Sequence, residues 1–375
     1  MFDALSDFLE PVSLSAISND TGYREGQFGR SVKIYDETFP DLEDVDIVIV
    51  GCGEQRGAAL LGISTAPAAI RSEFYNLYFW HTDLKIADIG NVRIGKSLTD
   101  TYAALKIVVD DLTGEGKTVL VLGGTHDLSL SQYYAFAGNK RQIEAASVDA
   151  LIDVNIDSPF RNDNFLMELL TSDPNYLRQY NHIAFQSYLV HPRMLETMDK
   201  LRFDCFRLGN VKEDIEEMEP VIRNCQMFSF DVTAIAHAFA PSNTISPNGL
   251  TGEEACTLMQ YAGMSAEMMS VGIYGYRPEK DNEQLTAKQI AQMIWYFLDG
   301  KSRGSREARM DEKESFNEFH TIFAEVDTIF LQSKKTGRWW IQLPDKKFIA
   351  CSQKDYIVAS RNEIPERWLR AQERP

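Results

Sequence analysis

At 375 residues, with 44% hydrophobic side chains, the chain can form one large α/β domain or two smaller ones around a substantial core. Its formal net charge of −17 and pI near 4.9 exclude the clustered basic surface that nucleic acid or an anionic membrane would need. The five cysteines, Cys52, Cys205, Cys225, Cys256 and Cys351, contain no Cys-x-x-Cys pair, which excludes a zinc knuckle and fits free thiols in a reducing compartment.

The N-terminal stretch is acidic and amphipathic, lacks the basic start of a signal peptide, and predicts a short helix over residues 3–12. Residues 13–44 read as a polar wrapping arm. No segment reaches the roughly 18 apolar residues of a membrane span, so a soluble, cytoplasmic protein is expected. DVDIVIVGCGE (44–54) is a buried parallel strand, APAAIRSEFYNLY (66–78) a helix with Pro67 in its first turn, and LKIADIGN (84–91) a second strand. A helix over 99–114 precedes the strand TVLVLGG (118–124), a loop and helix over 125–138, and a strand in VDALIDVNID (148–157). Further strands are expected at 181–184, 205–208, 227–231 and 269–273, with helices between them. That alternation predicts a three-layer α/β/α domain over 45–300, with a mostly parallel sheet and ligand-binding residues at the strands' carboxyl ends.

From 301 the character changes. KSRGSREARMDEKES (301–315) reads as a charged linker, DTIFLQSK-KTG-RWWIQLP (327–344) as a β-hairpin, and the segment with Tyr356, Ile364, Pro365, Trp368 and Leu369 as a terminal helix. Residues 301–375 are thus a small α+β appendage. Trp339 and Trp340 face opposite sides of their strand, so one packs inward while the other covers the linker or anchors a partner.

Three strand ends carry the chemistry: GGTHD (123–127), VNIDSPF (154–160) and SFDVTAIAHAFAP (229–241). One imidazole and two carboxylates, His126, Asp157 and Asp231, can converge there on Mn²⁺ or Zn²⁺. Cys52 in GCGE has no base at a telling distance and reads as a packed thiol. The glycine pair around it is too incomplete for a dinucleotide fingerprint.

The order of these motifs resembles the ureohydrolase family of arginases, agmatinases and formimidoylglutamases. That family carries Gly-Gly-Asp-His-Ser, Asp-Ala-His-x-Asp and Ser-x-Asp-x-Asp-x-x-Asp-Pro, and binds two Mn²⁺ ions. GISTAPAAIR (62–71) and ISPNGLTGEEA (245–255) extend the resemblance over roughly residues 45–300. Carried over by position, the resemblance implies that His126, Asp157 and Asp231 are retained ligands. It also implies that Pro159, Arg161 and Thr233 replace three others. Gly275 stands where the family places a substrate-side glutamate, and Ala236 and His237 where the third motif ends in aspartate and proline; His237 reads as a turn residue or a replacement base. A second register, Asp153-Val-Asn155-Ile-Asp157, is open for the middle motif.

A shared Mn²⁺ pair activates the water in such hydrolases, so three lost ligands and a gained cation predict a degenerate member. It would hold no cofactor, with Arg161 pairing Asp157 and Asp231 in the ion's place, and would bind a small ligand or protein. The rival is a formimidoylglutamase- or agmatinase-type hydrolase with one Mn²⁺ on His126, Asp157 and Asp231. A structural subunit is a third reading, and the family's trimers and hexamers leave a homo-oligomer open.

Overall fold

Ile47–Cys52 (β3) and Thr118–Gly123 (β5) are runs of Val, Ile and Leu, and every residue of both is buried. Strands like these must be covered on both faces, and they form the centre of a ten-stranded sheet in the computed structural model, which describes residues 2–18 and 22–373. The other strands are β1 (Leu9–Glu10), β2 (Lys33–Ile34), β4 (Ile86–Val92), β6 (Ile143–Val148), β7 (Leu177–Phe185), β8 (Asp204–Arg207), β9 (Met227–Asp231) and β10 (Ser270–Tyr274). Their order is β1-β4-β3-β5-β10-β9-β6-β7-β8, with β2 also on β4. Only β1 runs antiparallel. Helices Ala66–Phe74 and Leu285–Gly304 help cover one face, and Leu98–Gly114 and Ser129–Gly138 the other. The expected three-layer α/β/α architecture is the one the chain adopts.

Several boundaries differ from expectation. The N-terminal helix is a 3₁₀ turn, Phe2–Phe8, followed by β1, which uses the edge of β4. The arm contributes β2 to the same edge. The strand expected at 148–157 lies earlier, at Ile143–Val148, because its small residues fit between β9 and β7. Ala150 and Ile152, which suggested a strand, are instead buried in the loop that follows. The helix Leu285–Gly304 runs into the expected linker. Phe316–Phe323 (β11) was not anticipated; it pairs with Val326–Ser333 (β12), which continues to Trp339–Gln342 (β13) and Phe348–Cys351 (β14) in an antiparallel sheet. Two helices follow, Gln353–Ser360 and Glu366–Glu373.

This second sheet is docked by charge. Arg223 donates to the Trp339 carbonyl at 2.7 Å and lies 4.7 Å from the Trp340 ring centre. Arg338 meets Glu219 at 2.8 Å, and Arg367 reaches Glu217 at 3.0 Å. Trp339 stacks on Phe319 and Tyr356 inside the appended sheet's own core, while Trp340 turns to Arg223 and Phe316. Among the described residues no helix is long and apolar enough to cross a membrane.

The helix Ala66–Phe74 is pinned by a fully buried guanidinium. Arg71 forks onto Asp88 at 2.7 and 2.9 Å, reaches Asn91 and the Gly90 carbonyl, and Tyr75 donates to the same carboxylate at 2.6 Å. Removing one partner of such a pair strands the other charge in the core. Arg71→Met should lower the unfolding free energy by about 3–5 kcal/mol in urea titrations, and adding Asp88→Asn should restore part of the loss.

Candidate metal centre

Four neighbouring strands, β5, β10, β9 and β6, end at one place. His126 follows β5 in a one-turn 3₁₀ helix. Asp149 follows β6, Asp153 lies four residues on, Asp231 closes β9, and Gly275 follows β10. The approach is close because side chains are missing where backbones meet. A Cβ on Gly124 would sit 1.9 Å from the Glu54 carbonyl, and one on Gly275, at φ +78°, would sit 2.6 Å from both Asp231 oxygens. Gly123 and Gly272 leave room for the Tyr274 ring, which stacks 5.5 Å from the His126 ring, with Phe165 at 5.0 Å.

His126 Nδ1 lies 2.8 Å from Asp149 Oδ2, 3.7 Å from Asp231 Oδ2 and 3.8 Å from Asp153 Oδ2. The exposures of His126, Asp149, Asp153 and Asp231 are 1%, 2%, 7% and 6%. Burial, then the charges of Asp149 and Asp231, push the Asp153 carboxyl well above its usual range. Burial and Asp149 raise Asp231 to about 6. Burial alone would lower the His126 pKa, but the bond and charge of Asp149 and the charge of Asp231 raise it. Asp149 itself is lowered: burial opposes ionisation, but the His126 contact outweighs it.

None of the ion pairs among the described residues brings a Lys or Arg to Asp149, Asp153 or Asp231. Three buried carboxylates therefore repel one another around one imidazole, an arrangement that a hard divalent cation relieves. His126, Asp149 and Asp153 offer atoms within 4.8 Å of one another, and Asp231 is adjacent. The residues present fit a Mn²⁺-type ion.

The structure brings His126 and Asp231 together but not Asp157. Asp157 is exposed on the loop after β6, as is Pro159. Arg161 is half-buried and pairs with Glu168, so it does not fill an ion's place. The middle motif is Asp149-Ala-Leu-Ile-Asp153, which keeps both aspartates and Ala150 and puts Leu151 at the histidine position. The Asp153–Asp157 register is likewise not the one built, because Asn155 is exposed. The literal Asp-Ala-x-x-Asp was the available signal, hidden by reading Ala150 and Ile152 as strand.

Thr233 is at the site: its N–H donates to Asp231 at 2.8 Å and its hydroxyl to Asp149 Oδ1 at 3.0 Å. His237 turns away, with Nδ1 2.8 Å from the Asn243 carbonyl, and is a turn residue. Asp127, next to His126, accepts from the Tyr102 hydroxyl instead of joining the cluster. Cys52 is buried with its thiol pushed up to about 12 by burial, a packed thiol and not a nucleophile.

An arginase-family sequence model matches residues 45–299. The chain is 24% identical over 283 residues to a formimidoylglutamase of Staphylococcus aureus, covering 70% of this chain and 90% of that one. The fold is similar to that of Trypanosoma cruzi formiminoglutamase solved with Mn²⁺, with a TM-score of 0.64, 20% identity, and coverage of 70% of this chain and 95% of that one. It is also similar to Bacillus subtilis formimidoylglutamase, with a TM-score of 0.63, 18% identity, and coverage of 70% and 90%.

A raised carboxylate pKa means the folded metal-free chain holds protons that the unfolded chain has released, so stability falls as pH rises from about 4 to the folded value, about 6 for Asp231. His126 adds to the fall as pH passes its raised pKa, whereas Asp149 contributes stability that is lost only in acid. Metal-free Asp231→Asn should therefore lose less stability than the parent between pH 4 and 7. Parallel denaturant titrations across that range measure the difference.

Proposed function

The chain belongs to the arginase family, and on that premise we propose that it is a divergent member holding one hard divalent cation in place of a bridged pair. On this reading it does not perform the two-ion hydrolysis of guanidino or formimino carbons, and its centre serves to bind a ligand or partner. One observation carries this. His126, Asp149, Asp153 and Asp231 form a four-donor set, while Leu151 and Thr233 occupy the two remaining ligand positions of the family pattern. Leu151 has no donor atom. The Thr233 hydroxyl spends its proton on Asp149 Oδ1, an oxygen that a second ion would need.

His126 Nδ1 and the three carboxylates would hold the ion, which supplies charge neutralisation and Lewis-acid polarisation when bound. The protein's own residues prepare the place. Tyr274 and Phe165 clamp the imidazole, and the Leu151 N–H donates to Asp149 Oδ1 at 3.0 Å. Gly275 presents no carboxylate toward a substrate cation, so a guanidinium would meet no dedicated partner on that side.

The formimidoylglutamase relatives favour a second reading, a one-ion hydrolase that adds water across a formimino C–N bond and releases formamide and the free amine. Metal analysis and turnover separate the two. After Mn²⁺ loading and dialysis, elemental analysis should find one ion per chain, with no formamide or urea released from formimino or guanidino substrates. Formamide release abolished by Asp153→Asn would establish the second reading, and two ions per chain would overturn both.

Restoring the missing donors gives an independent check. Leu151→His with Thr233→Asp should raise bound Mn²⁺ from one ion to two, read by the same elemental analysis. Mn²⁺ should also raise the melting temperature of the unmodified protein more at pH 8 than at pH 5, because protons compete for Asp231 below about 6.

A further inference from the structure

The appended sheet runs in the order β11-β12-β13-β14, so β11 and β14 are its two edges. β14 lies against the main domain, where Arg223 donates to the Cys351 carbonyl at 3.5 Å. Among the described residues, no backbone group beyond β12 bonds to β11. Natural edges are usually blunted by a lysine, a proline, a bulge or brevity. β11 reads FNEFHTIF, contains neither residue, and pairs with β12 over eight residues without a shift of register. Its inner face is occupied: Phe319 packs on Trp339 and Tyr356, and Phe323 on Trp368. Glu318, His320 and Ile322 point the other way and are exposed, Ile322 by 65%.

The hairpin turn fixes which backbone groups face outward. β11 joins β12 through Ala324 and Glu325, at φ +49° and +62°, the left-handed pair of a type I′ turn. The residues flanking such a loop, Phe323 and Val326, bond each other, and the ladder alternates from there. Phe319 and Thr321 therefore bond to β12, while Glu318, His320 and Ile322 aim their N–H and C=O groups away from the sheet. A second β11 related by a two-fold axis can answer those groups only with even-numbered residues opposite even-numbered ones. An axis at Glu318 would set carboxylate against carboxylate, which is destabilising. An axis at His320 would set imidazole against imidazole and Glu318 against Ile322. An axis at Phe319 sets Glu318 opposite His320 twice and Ile322 opposite Phe316. Within one chain Glu318 and His320 already lie 2.8 Å apart, so that axis closes four groups into one alternating network.

We propose that β11 is a self-complementary docking edge, on which a second copy of this chain adds its own β11 antiparallel about an axis at Phe319. Two four-stranded sheets then become one of eight. A second copy is the occupant because the strand supplies both halves of every pair. The strand lies outside residues 45–299, so this contact belongs to the appendage and not to the arginase-family domain.

Glu318→Lys sets lysine opposite His320 and should raise the dimer dissociation constant about tenfold. Adding His320→Glu sets glutamate opposite that lysine and should return the constant to within about twofold of the parent. Sedimentation velocity of the full chain, from about 1 to 100 µM, measures both, and unchanged melting temperatures show that these exposed substitutions leave the fold intact. Hydrogen exchange reads the edge itself: the amides of Glu318, His320 and Ile322 should slow as the parent's concentration rises, and less so in Glu318→Lys. A monomer across that range overturns the proposal, whether its β11 amides exchange freely or are slowed by some other polypeptide. So does an assembly whose mass and β11 exchange ignore Glu318→Lys. A double variant that stays as weak as Glu318→Lys overturns the axis at Phe319.

Discussion

Three aspartates kept out of water within reach of one imidazole are the constraint on which the rest of this molecule depends. Isolated carboxylates at that depth would be strongly unfavourable. Here the adjacent ends of β5, β10, β9 and β6 hold them around His126, and no Lys or Arg among the described residues pairs with them. Local donors offset part of the cost for two of the three carboxylates. Asp149 accepts from the Leu151 N–H and the Thr233 hydroxyl, and Asp231 from the Thr233 N–H. Asp153 has the least of this support, and burial with the charges of Asp149 and Asp231 holds its carboxyl well above the normal range.

The same crowding explains residues that bear no chemistry. Gly124 exists to let the β5 loop touch the Glu54 carbonyl, and Gly275 to let the β10 loop pass the Asp231 carboxylate. Any Cβ at Gly275 would collide with that group, so the glutamate of the family pattern cannot be restored there without moving Asp231. A side chain at Gly275 and the present position of Asp231 thus exclude each other by sterics. The buried Arg71–Asp88 pair, by contrast, supplies its own counter-charge and needs no ligand.

Much of the sheet was legible because buried parallel strands announce themselves as unbroken runs of Val, Ile and Leu, as β3 and β5 do. β6 was misplaced for the opposite reason. Its sequence, Ile-Glu-Ala-Ala-Ser-Val, is weakly apolar, and only the flanking strands make it a strand. That shift moved the expected ligand from Asp149 to Asp157, eight residues along the loop and in its exposed part. His126 and Asp231 follow strands whose boundaries are sharp, and so they were located directly. Arg161 could not be placed from sequence because its partner, Glu168, lies on the next helix and competes for it outside the site. The Ser229 and Ser147 hydroxyls that meet His126 Nε2 at 3.0 and 3.4 Å were also invisible, since register across parallel strands is a property of the folded sheet.

The proposed preference for one ion over two rests on donor and charge counts together. Three carboxylates face the site, so a single divalent cation leaves a small negative residue that the surrounding N–H and O–H donors can carry. A second ion would bring the three-carboxylate cluster to net positive charge. Leu151 offers no donor atom, and Thr233 supplies a neutral hydroxyl already committed to Asp149. A borderline or hard ion bound by so few protein donors must complete its shell with water or a ligand. On the one-ion reading, that open position beside His126, whose ring packs against Phe165 and Tyr274, is where anything recognised through the centre would arrive.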